Sequence, residues 1–248
     1  MECADRAPVA TFFAAEELAV GTPVTLSEEA AHHIRVARVG IGECVALRDG
    51  AGRAAVGVLV KASRSSALVD VSEISEIPRP VPLHLLAPVA DRERMLWLAE
   101  KSTELGVTSW RPVLWRRSKS VTPRGEGPTF QNKVRARMIS ALEQSGGGWL
   151  PAIFPEANVE RAIAAAPLGT RLLLAQDGEA IAGVPMRPPV TLALGPEGGM
   201  EDAERDQFLG AAFLPVKLAS TTLRFETAGV AAVAIVAASQ ALSRQSNG

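Results

Sequence analysis

The sequence carries its strongest chemical signal in a glycine-rich turn. A short apolar run ends at Leu194, and Gly-Pro-Glu-Gly-Gly (195–199) then leads into a helical pattern. Glycines let the backbone approach a ligand closely, and ligands of parallel α/β sheets bind beyond the carboxyl ends of the strands. The turn has neither GxGxxG nor the Lys-Ser/Thr of a phosphate loop. Because Glu197 would repel a pyrophosphate, the pattern favours an adenosyl-type nucleoside; a plain strand–helix turn is the alternative.

A second candidate loop, residues 218–228, also follows a predicted strand and opens the last predicted helix. Arg224 stands between apolar neighbours in this loop. Its guanidinium suits the binding of an RNA phosphate or the polarisation of a base carbonyl. An ion pair with Glu226 or Glu197 is the alternative.

Positive charge is concentrated in the middle of a chain whose net charge is only −1. From Arg111 to Arg137 the sequence contains eight basic residues and only one acid, Glu126. Such a concentration is typical of a phosphate-binding face, although a solvated helix face would have the same composition. His32 and His33 precede Arg35 and Arg38 in a second basic segment. We interpret this segment as an RNA-facing edge, and we predict no metal site.

A third loop candidate closes the helix predicted for residues 130–145. Glu143 and Gln144 end this helix, and three glycines follow at 146–148. The glycine run is either a helix cap and linker or a mobile loop that contacts substrate.

Two different sequence patterns indicate the elements that position these residues. Up to residue 77 the apolar runs are short and Asp49-Gly50 marks a hairpin, which predicts a small β-barrel over residues 1–77. A proline-rich linker at 77–82 precedes alternating strands and helices over residues 78–248, which predict a mostly parallel sheet covered on both faces. We expect strands at 81–88, 110–115, 171–175, 189–194 and 213–218, and helices at 91–105, 130–145, 158–166, 201–211 and 227–242.

The remaining features indicate a cytoplasmic protein. Cys3 and Cys44 have no partners at metal-ligand spacing, so we expect two free thiols in a reducing compartment. The N-terminus has no signal-peptide pattern. The most apolar stretch, 228–242, is shorter than a membrane span needs, so we expect no membrane association.

Taken in order, these motifs resemble the RsmE-type 16S ribosomal RNA uridine-N3 methyltransferases of the SPOUT superfamily. The resemblance rests on segments spread over nearly the whole chain: 32–43, 100–107 (Glu-Lys-Ser-Thr-Glu-Leu-Gly-Val), Arg117-Ser118, 143–146, 195–199 and 223–228. It implies an N-terminal PUA-like β-barrel and a C-terminal SPOUT methyltransferase domain tied in a trefoil knot. Composition could not have indicated the knot, because knots are rare.

The resemblance also implies S-adenosyl-L-methionine as cofactor, 16S ribosomal RNA of the small subunit as substrate, and a homodimer. We expect the cofactor at Leu194, Gly195, Pro196, Glu197, Gly198, Gly199, Leu218, Ala219, Ser220 and Leu223. We expect RNA contacts from His33, Arg35, Arg38, Arg116, Arg117, Lys133, Arg137 and Gln144. The catalytic candidates are Arg224, to stabilise a uridine oxygen or the adjoining phosphate, and Glu226, to orient it or accept a proton.

Three arginines common in the family are replaced here, by Thr11, Gly147 and Thr221. Their loss motivates two alternatives: an RNA-binding relative without turnover, and a SPOUT methyltransferase that acts on a different RNA. A nicotinamide-dependent oxidoreductase is a third alternative, which the absence of GxGxxG disfavours.

Overall fold

The computed structural model describes Cys3, residues 6–120 and residues 124–245. Contacts divide the chain into two compact units. The first unit comprises Met1–Arg79 and Ile139–Leu150, and the second comprises Pro80–Met138 and Pro151–Gly248. The end of one long helix and the glycine loop after it thus group with the N-terminal unit, a grouping that the domain limits predicted above did not include.

The first unit is built on a curled five-stranded sheet with the order β1-β3-β4-β5-β2. Its elements are β1 (Thr11–Phe13), β2 (Pro23–Leu26), α1 (Glu28–Val36), β3 (Cys44–Arg48), β4 (Arg53–Ala62) and β5 (Ala67–Glu76). β1 pairs with β3 in parallel, and the other pairs are antiparallel. The predicted hairpin joins β3 to β4, where the Asp49 carboxylate accepts hydrogen bonds from the N–H groups of Ala51 and Arg53 at 2.7 and 2.9 Å. Phe12 and aliphatic side chains from the sheet, its connections and α1 form one core.

α1 was not among the predicted helices, and it carries His32, His33 and Arg35 of the second basic segment. Ser27 caps the helix by accepting the N–H of Ala30 at 3.3 Å. Ala30, Ala31 and Ile34 face the core, and Arg35 is exposed on this helix.

The two cysteines form a disulfide, with Cα atoms 5.8 Å apart. The expectation of two free thiols is therefore wrong. Cys3, Cys44 and Val58 form a small buried cluster beside β3 and β4.

The second unit contains a seven-stranded sheet in which every pair is parallel. Its elements are β6 (Leu83–Pro88), α2 (Arg92–Glu104), β7 (Ser109–Leu114), α3 (Pro128–Ser145), β8 (Ala152–Ile153), β9 (Ala157–Asn158), α4 (Val159–Ala164), β10 (Thr170–Ala180), β11 (Val190–Ala193), α5 (Asp202–Gly210), β12 (Leu214–Lys217) and α6 (Phe225–Gln245). The strand order is β12-β10-β11-β6-β7-β8, and β9 pairs with β7. The carboxyl ends of β10, β11 and β12 therefore meet at one edge.

Local sequence signals explain where the helices of this unit begin and end. The Asp91 carboxylate accepts the N–H of Arg94 at 3.1 Å at the start of α2, and Gly106 follows its end with φ +82°.

On one face of the sheet, Trp115 stacks on Phe208 with ring centroids 5.2 Å apart, within a buried apolar cluster. In the part of the chain that the structure describes, no helix is both long and apolar enough to cross a membrane.

Candidate active site

A cavity of about 410 Å³ lies at the carboxyl ends of β11 and β12 and beside the middle of β10. It is lined by Leu174, Ala175, Gln176, Leu194, Gly195, Pro196, Glu197, Gly199, Met200, Val216, Lys217, Leu218, Ala219, Thr221, Thr222, Leu223, Arg224, Phe225 and Ala228. Its volume falls within the range of about 300–1,000 Å³ common for small-molecule sites. The glycine turn and the 218–228 loop thus lie on the same cavity, whereas the third candidate loop, 143–148, does not line it.

Most residues predicted to hold the cofactor line this cavity; Gly198 and Ser220 are the two exceptions among the ten. No sequence pattern indicated the contribution of β10. Pairing of β10 with β12 is interrupted between Leu174 and Glu179, and the strand turns residues 174–176 toward the cavity at this irregularity. Gln176 then donates a hydrogen bond to the Thr222 hydroxyl at 2.6 Å, which ties β10 to the second loop.

The glycine turn is shaped by backbone geometry that side chains disfavour. Gly199 has φ +76°, a conformation that glycine adopts without a steric cost, and its N–H donates to the Pro196 carbonyl at 2.9 Å. A Cβ at Gly195 would lie 3.1 Å from Cγ of Met200. The turn therefore leaves little room for side chains and presents its backbone to the cavity.

Arg117, predicted to contact RNA, supports this turn. Its Nη1 donates to the carbonyl oxygen of Gly198 at 2.9 Å, and a Cβ on Gly198 would lie 3.2 Å from the Cβ of Arg117. Close approach of the two segments thus depends on a glycine at 198.

A buried glutamate joins the same two segments a second time. Glu204 lies in the first turn of α5, and its carboxylate accepts the N–H of Glu201 at 3.1 Å and that of Arg116 at 2.8 Å. The spacing of Glu201 and Glu204 is that of a capping box, a sequence signal that could have identified Glu204 as the fixed point of the turn.

Arg94, near the start of α2, is the basic partner of both acids flagged in the sequence. Its Nη1 contacts the Glu197 carboxylate, and its Nε lies 3.8 Å from Oε1 of Glu226. The alternative that the sequence suggested, an ion pair of Arg224 with Glu226 or Glu197, is not formed among the described residues.

Arg224 instead is exposed at the cavity. Within the described residues its side chain makes no ion pair or hydrogen bond. An uncompensated guanidinium beside the cavity is available to a substrate oxygen or phosphate.

The other residues predicted to bind RNA in the second unit lie outside this cavity. The Arg116 side chain is 73% exposed, with Nη1 3.5 Å from Glu201. Lys133 is exposed on α3, and Arg137 pairs with Glu100 at 3.2 Å.

In the first unit, two of the predicted RNA contacts already have protein partners. Nδ1 of His33 lies 3.3 Å from the Glu143 carboxylate, which also accepts the Phe13 N–H at 2.8 Å. Burial raises the pKa of the Glu143 carboxyl, and the hydrogen bonds from Phe13 and His33 oppose this effect. Arg35 donates to the carbonyl oxygens of Ser63 and Arg64 at 3.3 and 2.8 Å. Arg38 and Gln144 are exposed.

Comparisons with known proteins agree with this architecture. Residues 77–237 match the model of an RNA methyltransferase domain, and residues 26–72 match that of an RNA methyltransferase PUA domain. Ribosomal RNA small subunit methyltransferase E of Synechocystis is 30% identical over 232 residues, covering 89% of this chain and 74% of that protein.

Solved structures show the same fold. One is ribosomal RNA small subunit methyltransferase E from Neisseria gonorrhoeae bound to S-adenosyl methionine, with TM-score 0.83 and 29% identity, covering 94% of this chain and 97% of that one. Another is a methyltransferase from Legionella pneumophila in complex with the same cofactor, with TM-score 0.83 and 26% identity, covering 92% and 97%. The curled N-terminal sheet and the parallel C-terminal sheet confirm the predicted PUA-like and SPOUT fold class. As its resemblance predicted, this chain belongs to the RNA methyltransferase family, among the RsmE-type ribosomal RNA methyltransferases with an N-terminal PUA domain.

Proposed function

We propose that this protein methylates N3 of a uridine in 16S ribosomal RNA of the small subunit, with S-adenosyl-L-methionine as the methyl donor. The observation that carries this proposal is the cavity at the glycine turn with an uncompensated guanidinium, that of Arg224, on its wall. Membership of the family indicates methyl transfer to RNA. The Arg224 guanidinium on the cavity wall supports uridine as the group that is methylated.

The cavity residues fit the proposed cofactor. Backbone of the glycine turn and apolar side chains such as Leu194, Leu218 and Leu223 suit an adenosine ring, and the Glu197 carboxylate can accept hydrogen bonds from hydroxyl or ammonium groups. When bound, the cofactor supplies an electrophilic methyl group on a sulfonium. The solved relatives from N. gonorrhoeae and L. pneumophila hold this compound.

Uridine N3 carries a proton and is a poor nucleophile until that proton leaves. Arg224 stabilises the negative charge that then develops on O2 or O4, or it binds the adjoining phosphate. The N3 proton would pass to a base, the Glu226 carboxylate or water. The deprotonated N3 would then accept the methyl group that the sulfonium supplies. The target base must be unpaired or flipped out of a helix to reach the cavity.

RNA is held by exposed basic residues in each unit, Arg38 in the first and Arg116 and Lys133 in the second. We further propose that the protein acts as a homodimer in the cytoplasm, on the small ribosomal subunit or its RNA. We also propose the domain limits 1–77 and 78–248. The cofactor-binding, RNA-binding and catalytic residues predicted from the sequence are part of the same proposal.

The proposal is tested by incubating the purified protein with methyl-labelled S-adenosylmethionine and small ribosomal subunits that lack the modification. Label is expected in 16S RNA, and large subunits serve as the control. Cofactor binding with label in another RNA only would favour a different substrate. Binding without transfer to any RNA would favour a relative that has lost turnover.

A further inference from the structure

One cation, Arg94, contacts Glu197, which lines the cavity, and Glu226, a buried acid that does not line it. Glu197 belongs to the glycine turn after β11, and Glu226 lies in the first turn of α6. The contact with Glu197 spans 103 positions of sequence. A fork-shaped guanidinium can engage two carboxylates at once, which a lysine ammonium does less specifically.

Burial distinguishes this arrangement from an ordinary surface ion pair. Glu226 is 8% exposed, and its Oε2 is buried without a hydrogen-bond partner among the described residues. A buried carboxylate is costly unless a counter-charge compensates it. The side chain of Arg94, itself only 33% exposed, provides that counter-charge.

The arrangement also determines which cation remains available to substrate. Glu197 lines the cavity together with Arg224, and an unpaired Glu197 would attract the guanidinium of Arg224. Because Arg94 already engages Glu197, Arg224 keeps its charge uncompensated.

We infer that Arg94 is a positioning residue for methyl transfer: by bridging Glu197 and Glu226, it holds the glycine turn in place and keeps Arg224 free for the substrate. This inference rests on the proposed function. It assigns Arg94 no contact with RNA or with the reacting atoms.

The test compares Arg94→Met, Arg94→Lys and a control, Lys101→Met, in the full-length protein. Lys101 lies on the same helix and also pairs with two acids, Glu100 at 2.8 Å and Glu104 at 2.7 Å, but it lines no part of the cavity. Calorimetry measures the dissociation constant of S-adenosylmethionine, methyl transfer gives kcat and KM for RNA, and thermal unfolding monitors the fold.

For Arg94→Met we expect a dissociation constant about tenfold higher and a kcat about 100-fold lower at saturating cofactor, with KM for RNA within about threefold of wild type. Arg94→Lys should fall between Arg94→Met and wild type, and Lys101→Met should match wild type in all three quantities. Should Arg94→Met fail to fold, Arg94→Lys carries the test.

Wild-type cofactor affinity and kcat in a folded Arg94→Met, or in Arg94→Lys, would overturn the inference. A rise in KM for RNA alone would also overturn it, because it would make Arg94 an RNA contact. If the wild-type protein binds cofactor but methylates no ribosomal RNA, the proposed function fails, and the dissociation constants still decide the role of Arg94.

Discussion

Nη1 of Arg117 donates a hydrogen bond to the carbonyl oxygen of Gly198, 2.9 Å away. This bond connects the basic middle segment of the chain to the glycine turn of the cavity. Arg116, the preceding residue, is fixed by its N–H to Glu204 while its side chain extends into solvent. The side chains of these neighbouring arginines therefore have different surroundings, the glycine turn for Arg117 and solvent for Arg116.

Substitution of these two arginines should separate cofactor affinity from RNA affinity. We expect Arg117→Met to weaken S-adenosylmethionine binding about five- to tenfold, because it removes a charge-assisted hydrogen bond that shapes the turn. We expect Arg116→Met to leave cofactor binding unchanged and to lower the salt dependence of RNA binding by about one phosphate contact. Calorimetry and RNA binding at several salt concentrations measure both, and equal effects of the two variants would contradict the assignment.

Filling the cavity from the glycine turn should strongly weaken cofactor binding without unfolding the protein. A Cβ at Gly195 would lie 3.1 Å from the flexible Met200 side chain, and Gly195→Val would add bulk on the cavity wall. We expect cofactor affinity to fall at least about 30-fold, or about 2 kcal/mol, with a small change in Tm. Gly183→Ala, where an added Cβ meets nothing within 4 Å, is the matched control. Normal affinity in Gly195→Val would place the cofactor elsewhere.

Arg224 should affect chemistry far more than cofactor binding. For Arg224→Gln we expect kcat to fall by about 100-fold or more, the loss typical when one electrostatic donor to a developing oxyanion is removed. Cofactor affinity should stay within about threefold of wild type. Arg187→Gln, at another exposed arginine of the same unit, is the control. Full activity of Arg224→Gln with normal RNA binding would exclude Arg224 from catalysis.

The buried Glu143 should make stability depend on pH. Because burial raises the pKa of its carboxyl above the ordinary value of 4.5, the folded state binds the proton more tightly than the unfolded state. The contribution of Glu143 to the free energy of unfolding is therefore fully favourable below pH 4.5 and decreases as pH rises through the folded-state pKa. Glu143→Gln retains an acceptor for the Phe13 N–H and removes this dependence.

Denaturant unfolding between about pH 4 and 7 checks this prediction. We expect the free energy of unfolding of Glu143→Gln to increase relative to that of wild type as pH rises. A difference between the two proteins that stays constant over this pH range would contradict the prediction.

Sequence patterns located the glycine turn, the 218–228 loop and the Asp91 helix start because each depends on neighbouring residues. They could not locate Arg94, whose contact with Glu197 is created only by the fold. The broken pairing that brings Gln176 to the cavity also left no local pattern. α1 was missed because its short amphipathic segment lies among strands, and the knotted topology was expected from family resemblance alone.

The most direct test of the account is the identity of the methylated nucleoside. Small ribosomal subunits lacking the modification are incubated with the protein and S-adenosylmethionine, and the 16S RNA is digested and analysed by chromatography and mass spectrometry. We expect N3-methyluridine, and we expect its formation to depend on Arg224. A methyl group on a ribose, on another base, or on no nucleoside of this RNA would contradict this expectation.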